Sequence, residues 1–225
     1  MNDIAGTTTL AAHLAPLPLL AVLRGITAGE VPAIGAVLAD GGIPILEVPL
    51  NSPQPLSSIR VLADTFGHRC LVGAGTVLDV ADVARVADAG GRLIVMPHGD
   101  PRIVAEAKRR GLVCIPGVAT PTEAFAALAA GADGLKMFPA EQLPPPVVKA
   151  WRAVLPKSTL LFPVGGIGPS SVAAYWAAGA SGFGTGTGLY RPGATAGEVA
   201  AAVEAFAAAF RALPAGAPLP PSPIR

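Results

Sequence analysis

Cysteine is nearly absent, and that absence already narrows the field. Cys70 and Cys114 are the only two, each inside an apolar strand-like run. The pattern excludes a disulfide framework and fits small buried hydrophobes in a reduced, cytoplasmic compartment. Charge is scarce as well, at 14% of residues against 52% hydrophobic, which excludes a disordered chain and makes every charge in an apolar setting informative. A net charge of +1 leaves no basic footprint for nucleic acid or for an anionic membrane surface, so a small molecule is the expected partner. The three histidines, His13, His68 and His98, are scattered, and no cluster of histidine, cysteine and carboxylate has ligand spacing, so no metal site is expected. Long apolar runs are lacking too. The longest near the start, Leu10 to Leu23, carries His13, Pro16 and Pro18 with no basic residue before it, and fits neither a signal peptide nor a membrane span.

What is present is a repeat. A strand-like run, a glycine or proline, an alanine-rich amphipathic stretch and another glycine recur roughly every 20 to 25 residues. Eight strands are predicted: Leu19 to Arg24, Pro44 to Leu50, Leu71 to Thr76, Leu93 to Pro97, Val113 to Pro116, Gly134 to Phe138, Leu160 to Val164 and Gly182 to Gly186. Several are apolar on both faces, as parallel strands packed inside a barrel and covered by helices outside must be. Helices Ala28 to Ala39, Asp79 to Ala89 and Thr122 to Ala130 each stop at glycine. The pattern predicts an α/β fold, a single-domain (β/α)₈ barrel over residues 1–210. The rival open doubly wound sheet lacks its dinucleotide fingerprint after the first strand, where Arg24, Gly25, Ile26 and Thr27 stand instead. A short helical piece, Thr8 to His13, would plug or cover the bottom of the barrel. Residues 211–225 hold five prolines and read as a flexible tail.

Reactive groups of such barrels lie at the C-terminal ends of strands. Of four lysines, Lys108, Lys149 and Lys157 sit in polar settings. Lys136 lies inside Gly134 to Pro139, an apolar strand offering neither water nor a neighbouring acid. Desolvation disfavours its ammonium and leaves a neutral amine to attack a carbonyl, which is the requirement of imine chemistry; a structural lysine reaching a rim or a buried acid is the alternative. Glu47 is the only acid from Ile43 to Pro53. It is either the group that moves protons for such an amine or the structural partner of Arg24 at the end of the first strand. Arg24 points a two-pronged donor into the mouth, suited to a carboxylate or phosphate. Thr76 adds a hydroxyl at the end of the third strand. His98 follows Pro97 and either lines the pocket or stands in a loop.

Two glycine runs follow the last two strands: Val164, Gly165, Gly166, Ile167, Gly168 and then Gly184, Thr185, Gly186, Thr187, Gly188. Barrels commonly hold a phosphate at this place, on backbone N–H groups that only glycine lets an anion approach.

Five stretches carry a resemblance: EVPLNSP from Glu47, GAGTVL from Gly73, IPG from Ile115, LKMFPA from Leu135 and PVGGI from Pro163. Together they resemble the 2-keto-3-deoxy-6-phosphogluconate/galactonate aldolase family from about Leu17 to Pro192. The resemblance implies a class I, Schiff-base retro-aldol cleavage giving pyruvate and D-glyceraldehyde 3-phosphate. The lysine matching Lys136 forms the imine and the glutamate matching Glu47 moves protons. It places Arg24 and Thr76 near the pyruvyl carboxylate, Phe138 and Pro97 along the pocket wall, and Gly165, Gly166, Gly186 and Thr187 around the phosphate. It also implies a homotrimer without a cofactor. The gluconate branch usually has an arginine four residues after the glutamate and a threonine before the paired glycines. Here Asn51 and Val164 stand at those places, similar to the galactonate branch, so the 6-phosphogalactonate is the expected substrate, with the gluco epimer or both as the alternative. A threonine hydroxyl near C4 would reward one epimer over the other. A phosphosugar isomerase or epimerase, or a noncatalytic phosphosugar-binding protein, would share the glycine loops but form no covalent intermediate.

Overall fold

The computed structural model describes residues 10–14 and 17–214. These residues form nine strand segments and nine α-helices, alternating except where β5 runs directly into β6. In chain order they are α1 (Leu10–His13), β1 (Leu19–Val22), α2 (Val31–Asp40), β2 (Ile45–Pro49), α3 (Pro55–Phe66), β3 (Leu71–Gly75), α4 (Val80–Asp88), β4 (Leu93–Val95) and α5 (Pro101–Arg109). Then follow β5 (Val113–Ile115), β6 (Gly117–Val118), α6 (Pro121–Ala129), β7 (Leu135–Met137), α7 (Pro145–Arg152), β8 (Leu161–Pro163), α8 (Val172–Ala177), β9 (Phe183–Thr185) and α9 (Ala196–Arg211). The parts of the predicted N-terminal helix and of the predicted tail at residues 8–9 and 215–225 lie outside the described residues.

The strands pair in parallel in the order β5-β4-β3-β2-β1-β9, with β6-β7-β8 as a second piece and a single bridge from Val164 to Gly184 joining β8 to β9. The result is a curled parallel sheet with helices outside. Eight strands were the expectation and nine segments are found, because Pro116 divides the fifth. Proline has no N–H to give to the ladder, so pairing with β4 ends at Ile115 and pairing with β7 begins at Gly117.

Helix starts follow from local chemistry. Proline opens α3, α5, α6 and α7, where its missing N–H has no intrahelical partner to lose. The Asp79 and Asp100 side chains accept from Ala81 N and Arg102 N, and Thr120 with Glu123 and Thr195 with Glu198 form capping boxes. At the helix ends, Gly42, Gly90 and Gly131 take the left-handed conformation, whereas Gly41 does not.

Two apolar clusters result from the alternation along each strand. One packs strands against helices, including Leu19, Ala21, Leu46, Val48, Val72 and Ile94. The other fills the inside of the curl with Leu20, Val22, Ile45, Leu71, Leu93 and Phe162. Leu10 and Leu14 join the inner cluster, and a side chain at Gly134 would meet Leu10 and Phe162, so α1 plugs the curl at the start of β7. No helix among the described residues is long and apolar enough to cross a membrane.

Candidate active site

Two charged side chains are driven into this interior by strand alternation. On β2, Glu47 lies opposite Val22 of β1 and Gly73 of β3. On β7, Lys136 lies opposite Gly117 of β6 and Phe162 of β8. Glu47 is 1% exposed and Lys136 6%. Space for the carboxyl comes from β3, because a Cβ at Gly75 would overlap it. Glu47 Oε2 is buried with no hydrogen-bond partner, and among the described residues neither Glu47 nor Lys136 joins an ion pair.

The alternative pairing of Glu47 with Arg24 is not formed. Arg24 Nη1 donates to Asn51 Oδ1 at 2.5 Å and Nη2 to Thr76 Oγ1 at 3.4 Å. The turn after β2 also holds the neighbouring residue, since Gly25 N donates to Ser52 Oγ at 2.9 Å. Thr76 is held with φ at +53°, a left-handed conformation costly for a β-branched residue, by about 1 to 3 kcal/mol. It closes β3 at the rim of the pocket.

Burial raises the Glu47 carboxyl to about 7, against the opposing pull of the Lys136 and Arg24 cations. The same burial lowers Lys136, opposed by the negative charge of Glu47 and aided by Arg24. Each group therefore moves toward its neutral form. A neutral amine is a nucleophile, and a carboxyl near 7 is matched to giving and taking protons at physiological pH. Lys136 Nζ also lies 4.8 Å from the centroid of the Phe138 ring.

A cavity of about 200 Å³ opens here. Arg24, Thr76, Pro97, Lys136 and Phe138 line it from the strand ends, and Val164, Gly165, Gly166, Gly186 and Thr187 from the two glycine loops. Glu47 lies buried behind this lining, and His98 is not part of it. Gly165 and Gly166 have φ of +107° and +62°, the left-handed region that favours glycine, and a side chain at Gly165 would also displace the Glu141 carboxylate. Thr185 Oγ1 donates to Ile167 O at 3.0 Å and ties the two loops together. Glu30 accepts from Thr27 and from Tyr190, joining the loop after β1 to the loop after β9.

Val22, Ile167 and Thr185 complete the lining and were missed in the sequence. Val22 ends β1, and Arg24 stands two residues on in the turn that follows; the alternation expected over Leu19 to Arg24 would have found Val22. Thr185 lay within a run read only for its glycines. The supporting roles of Gly75 and Asn51 had no local signal.

The chain matches the KDPG and KHG aldolase family over residues 10–206. It is similar to a probable 2-dehydro-3-deoxy-6-phosphogalactonate aldolase of Rhizobium meliloti (strain 1021), at 46% identity over 88% of this chain and 94% of the relative. A solved structure of native KDPGal superimposes with a TM-score of 0.86 at 43% identity, over 88% of this chain and 96% of the other. A Legionella pneumophila KDPG aldolase, captured with pyruvate as a covalent carbinolamine, superimposes with a TM-score of 0.78 at 26% identity, over 88% and 97% of the two chains.

Proposed function

The chain belongs to the KDPG and KHG aldolase family, and from that premise we propose that it cleaves 2-dehydro-3-deoxy-6-phosphogalactonate to pyruvate and D-glyceraldehyde 3-phosphate through an imine on Lys136. The chain is a class I aldolase, a carbon–carbon lyase. The observation that carries the residue assignment is the buried Lys136, free of any ion pair among the described residues, in a cavity backed by the equally buried Glu47.

In this reading neutral Lys136 attacks the C2 ketone, and protons pass through Glu47 until the carbinolamine loses water to the iminium. The iminium is the electron sink. Glu47 then takes the C4 hydroxyl proton as the C3–C4 bond breaks, the aldehyde phosphate departs, and the enamine is protonated and hydrolysed to pyruvate. Arg24, tethered by Asn51 and Thr76, receives the substrate carboxylate. Gly165, Gly166, Gly186 and Thr187 hold the phosphate, and Pro97 and Phe138 form the wall between the two ends. Val164, where the gluconate branch has threonine, supports the galacto epimer.

We read the two sheet pieces as one closed eight-stranded barrel, on the strength of the Val164 to Gly184 bridge and the single proline between β5 and β6. In the same reading residues 1–210 form the catalytic domain and 211–225 a tail outside it. In the same reading the protein is a cytoplasmic homotrimer, as its resemblance to the family implies. Borohydride added with pyruvate tests the chemistry: the proposal expects a mass increase on the peptide containing Lys136, and unmodified protein contradicts it. Pyruvate release from the two epimeric 6-phosphates, measured side by side, tests the substrate; a preference for the gluco epimer overturns the reading of Val164.

A further inference from the structure

An iminium is a cation, and this site is poorly furnished to hold one. Lys136 is buried, Arg24 places a second positive charge on the same cavity, and Glu47 is the one acid whose charge bears on both. Beside that acid stands an aromatic face, with the Lys136 nitrogen 4.8 Å from the centroid of the Phe138 ring. That distance lies within the range over which a ring quadrupole attracts a cation, and the attraction is stronger where water is excluded. A neutral amine gains little from the same face.

We infer that Phe138 is an electrostatic partner of the iminium, stabilising the cation on Lys136 in addition to forming the pocket wall. This inference rests on the reading of Lys136 as the imine-forming amine. In the dehydration step the carbinolamine nitrogen pushes out the C2 hydroxyl, which leaves as water with the proton of the Glu47 carboxyl. Neutral carbinolamine and neutral acid thus become iminium and carboxylate. Charge separation in a desolvated pocket is the costly part of that step. Glu47 answers it with a proton-dependent charge, whereas the ring answers it with a fixed one that cannot titrate and does not compete for protons. Because the ring favours the cation over the neutral species before it, it lowers the barrier rather than merely tightening binding.

The test replaces Phe138 by mono-, di- and trifluorophenylalanine, which keep the ring's shape while progressively removing the negative charge of its face. Turnover is read across the whole pH profile and compared at its maximum, which separates a shift in the titration of the resting amine from an effect on the cation formed in the reaction. The expected result is a stepwise fall in kcat that reaches about tenfold in the trifluoro variant, with KM changed less than about twofold and borohydride still trapping pyruvate on Lys136. A flat kcat across the series, with trapping on Lys136 intact, overturns the role of Phe138 and leaves the aldolase reading standing. Absence of trapping on Lys136 in the unsubstituted protein overturns both.

Discussion

Two lysine–carboxylate neighbourhoods stand three residues apart along the chain, and they behave oppositely. Before β7, Asp133 takes Lys108 Nζ on both oxygens, at 2.8 and 2.7 Å, and accepts from Cys114 N at 2.8 Å as well. Lys108 further donates to Leu112 O at 3.3 Å, and both side chains keep partial contact with solvent. On β7 itself, Lys136 shares the interior with Glu47 under almost complete burial, with no ion pair among the described residues and with one carboxyl oxygen unbonded. The same residue types make a satisfied structural clasp in one place and two groups displaced toward neutrality in the other. Satisfaction, more than proximity, separates structure from reactivity.

Breaking the unsatisfied pair should have the largest effect. Lys136→Ala is expected to lower kcat by more than about 10⁴-fold in a pyruvate-release assay, because no second amine among the described residues lines the cavity. Its circular dichroism should match the parent, since removing a buried, unpaired amine relieves desolvation. Glu47→Gln comes next, with kcat reduced by about 10² to 10⁴-fold. Its stability should move the other way, and the sign follows from linkage. An unfolded carboxyl titrates at its ordinary value while the folded one titrates near 7, so the folded state binds more protons in between and loses stability as pH rises through that window. Denaturant titration should therefore find Glu47→Gln more stable than the parent at pH 8, by on the order of 1 to 3 kcal/mol, and no more stable at pH 4. A destabilised variant at pH 8 would mean that Glu47 has a partner after all.

These two residues were legible in the sequence for one reason: a charge inside an apolar strand violates the pattern that builds the strand. The barrel-like repeat and the glycine loops were legible on similar grounds, from periodicity and punctuation. What escaped depends on contacts across strands. That Gly75 makes room for the Glu47 carboxyl follows from its place on the adjoining β3, and that Arg24 reaches Asn51 rather than Glu47 depends on a turn 27 residues away. Pro116 was visible, but its division of one strand between two partners was not. The inward packing of Leu10 and Leu14 likewise depends on the curl of the sheet.

Smaller effects sharpen the contrast. Val164→Thr leaves both lysine neighbourhoods in place while adding a hydroxyl to the wall, and should move the ratio of kcat/KM for the two epimers about tenfold toward the gluco form. An unchanged ratio would remove Val164 from the account of specificity. Lys108→Met strikes the satisfied pair. Because that pair is partly exposed, the expected cost is about 1 kcal/mol in a denaturant melt, with kcat unchanged. A large loss of turnover in this variant would erase the distinction between the two neighbourhoods.

Burial lowers the Lys136 ammonium from the ordinary lysine value, and direct titration of its side-chain nitrogen by NMR, with ¹⁵N-labelled lysine and the Lys136→Ala spectrum for assignment, measures it. The account predicts that this ammonium releases its proton below the usual 10.5. An ammonium that persists to 10.5 or beyond would contradict it.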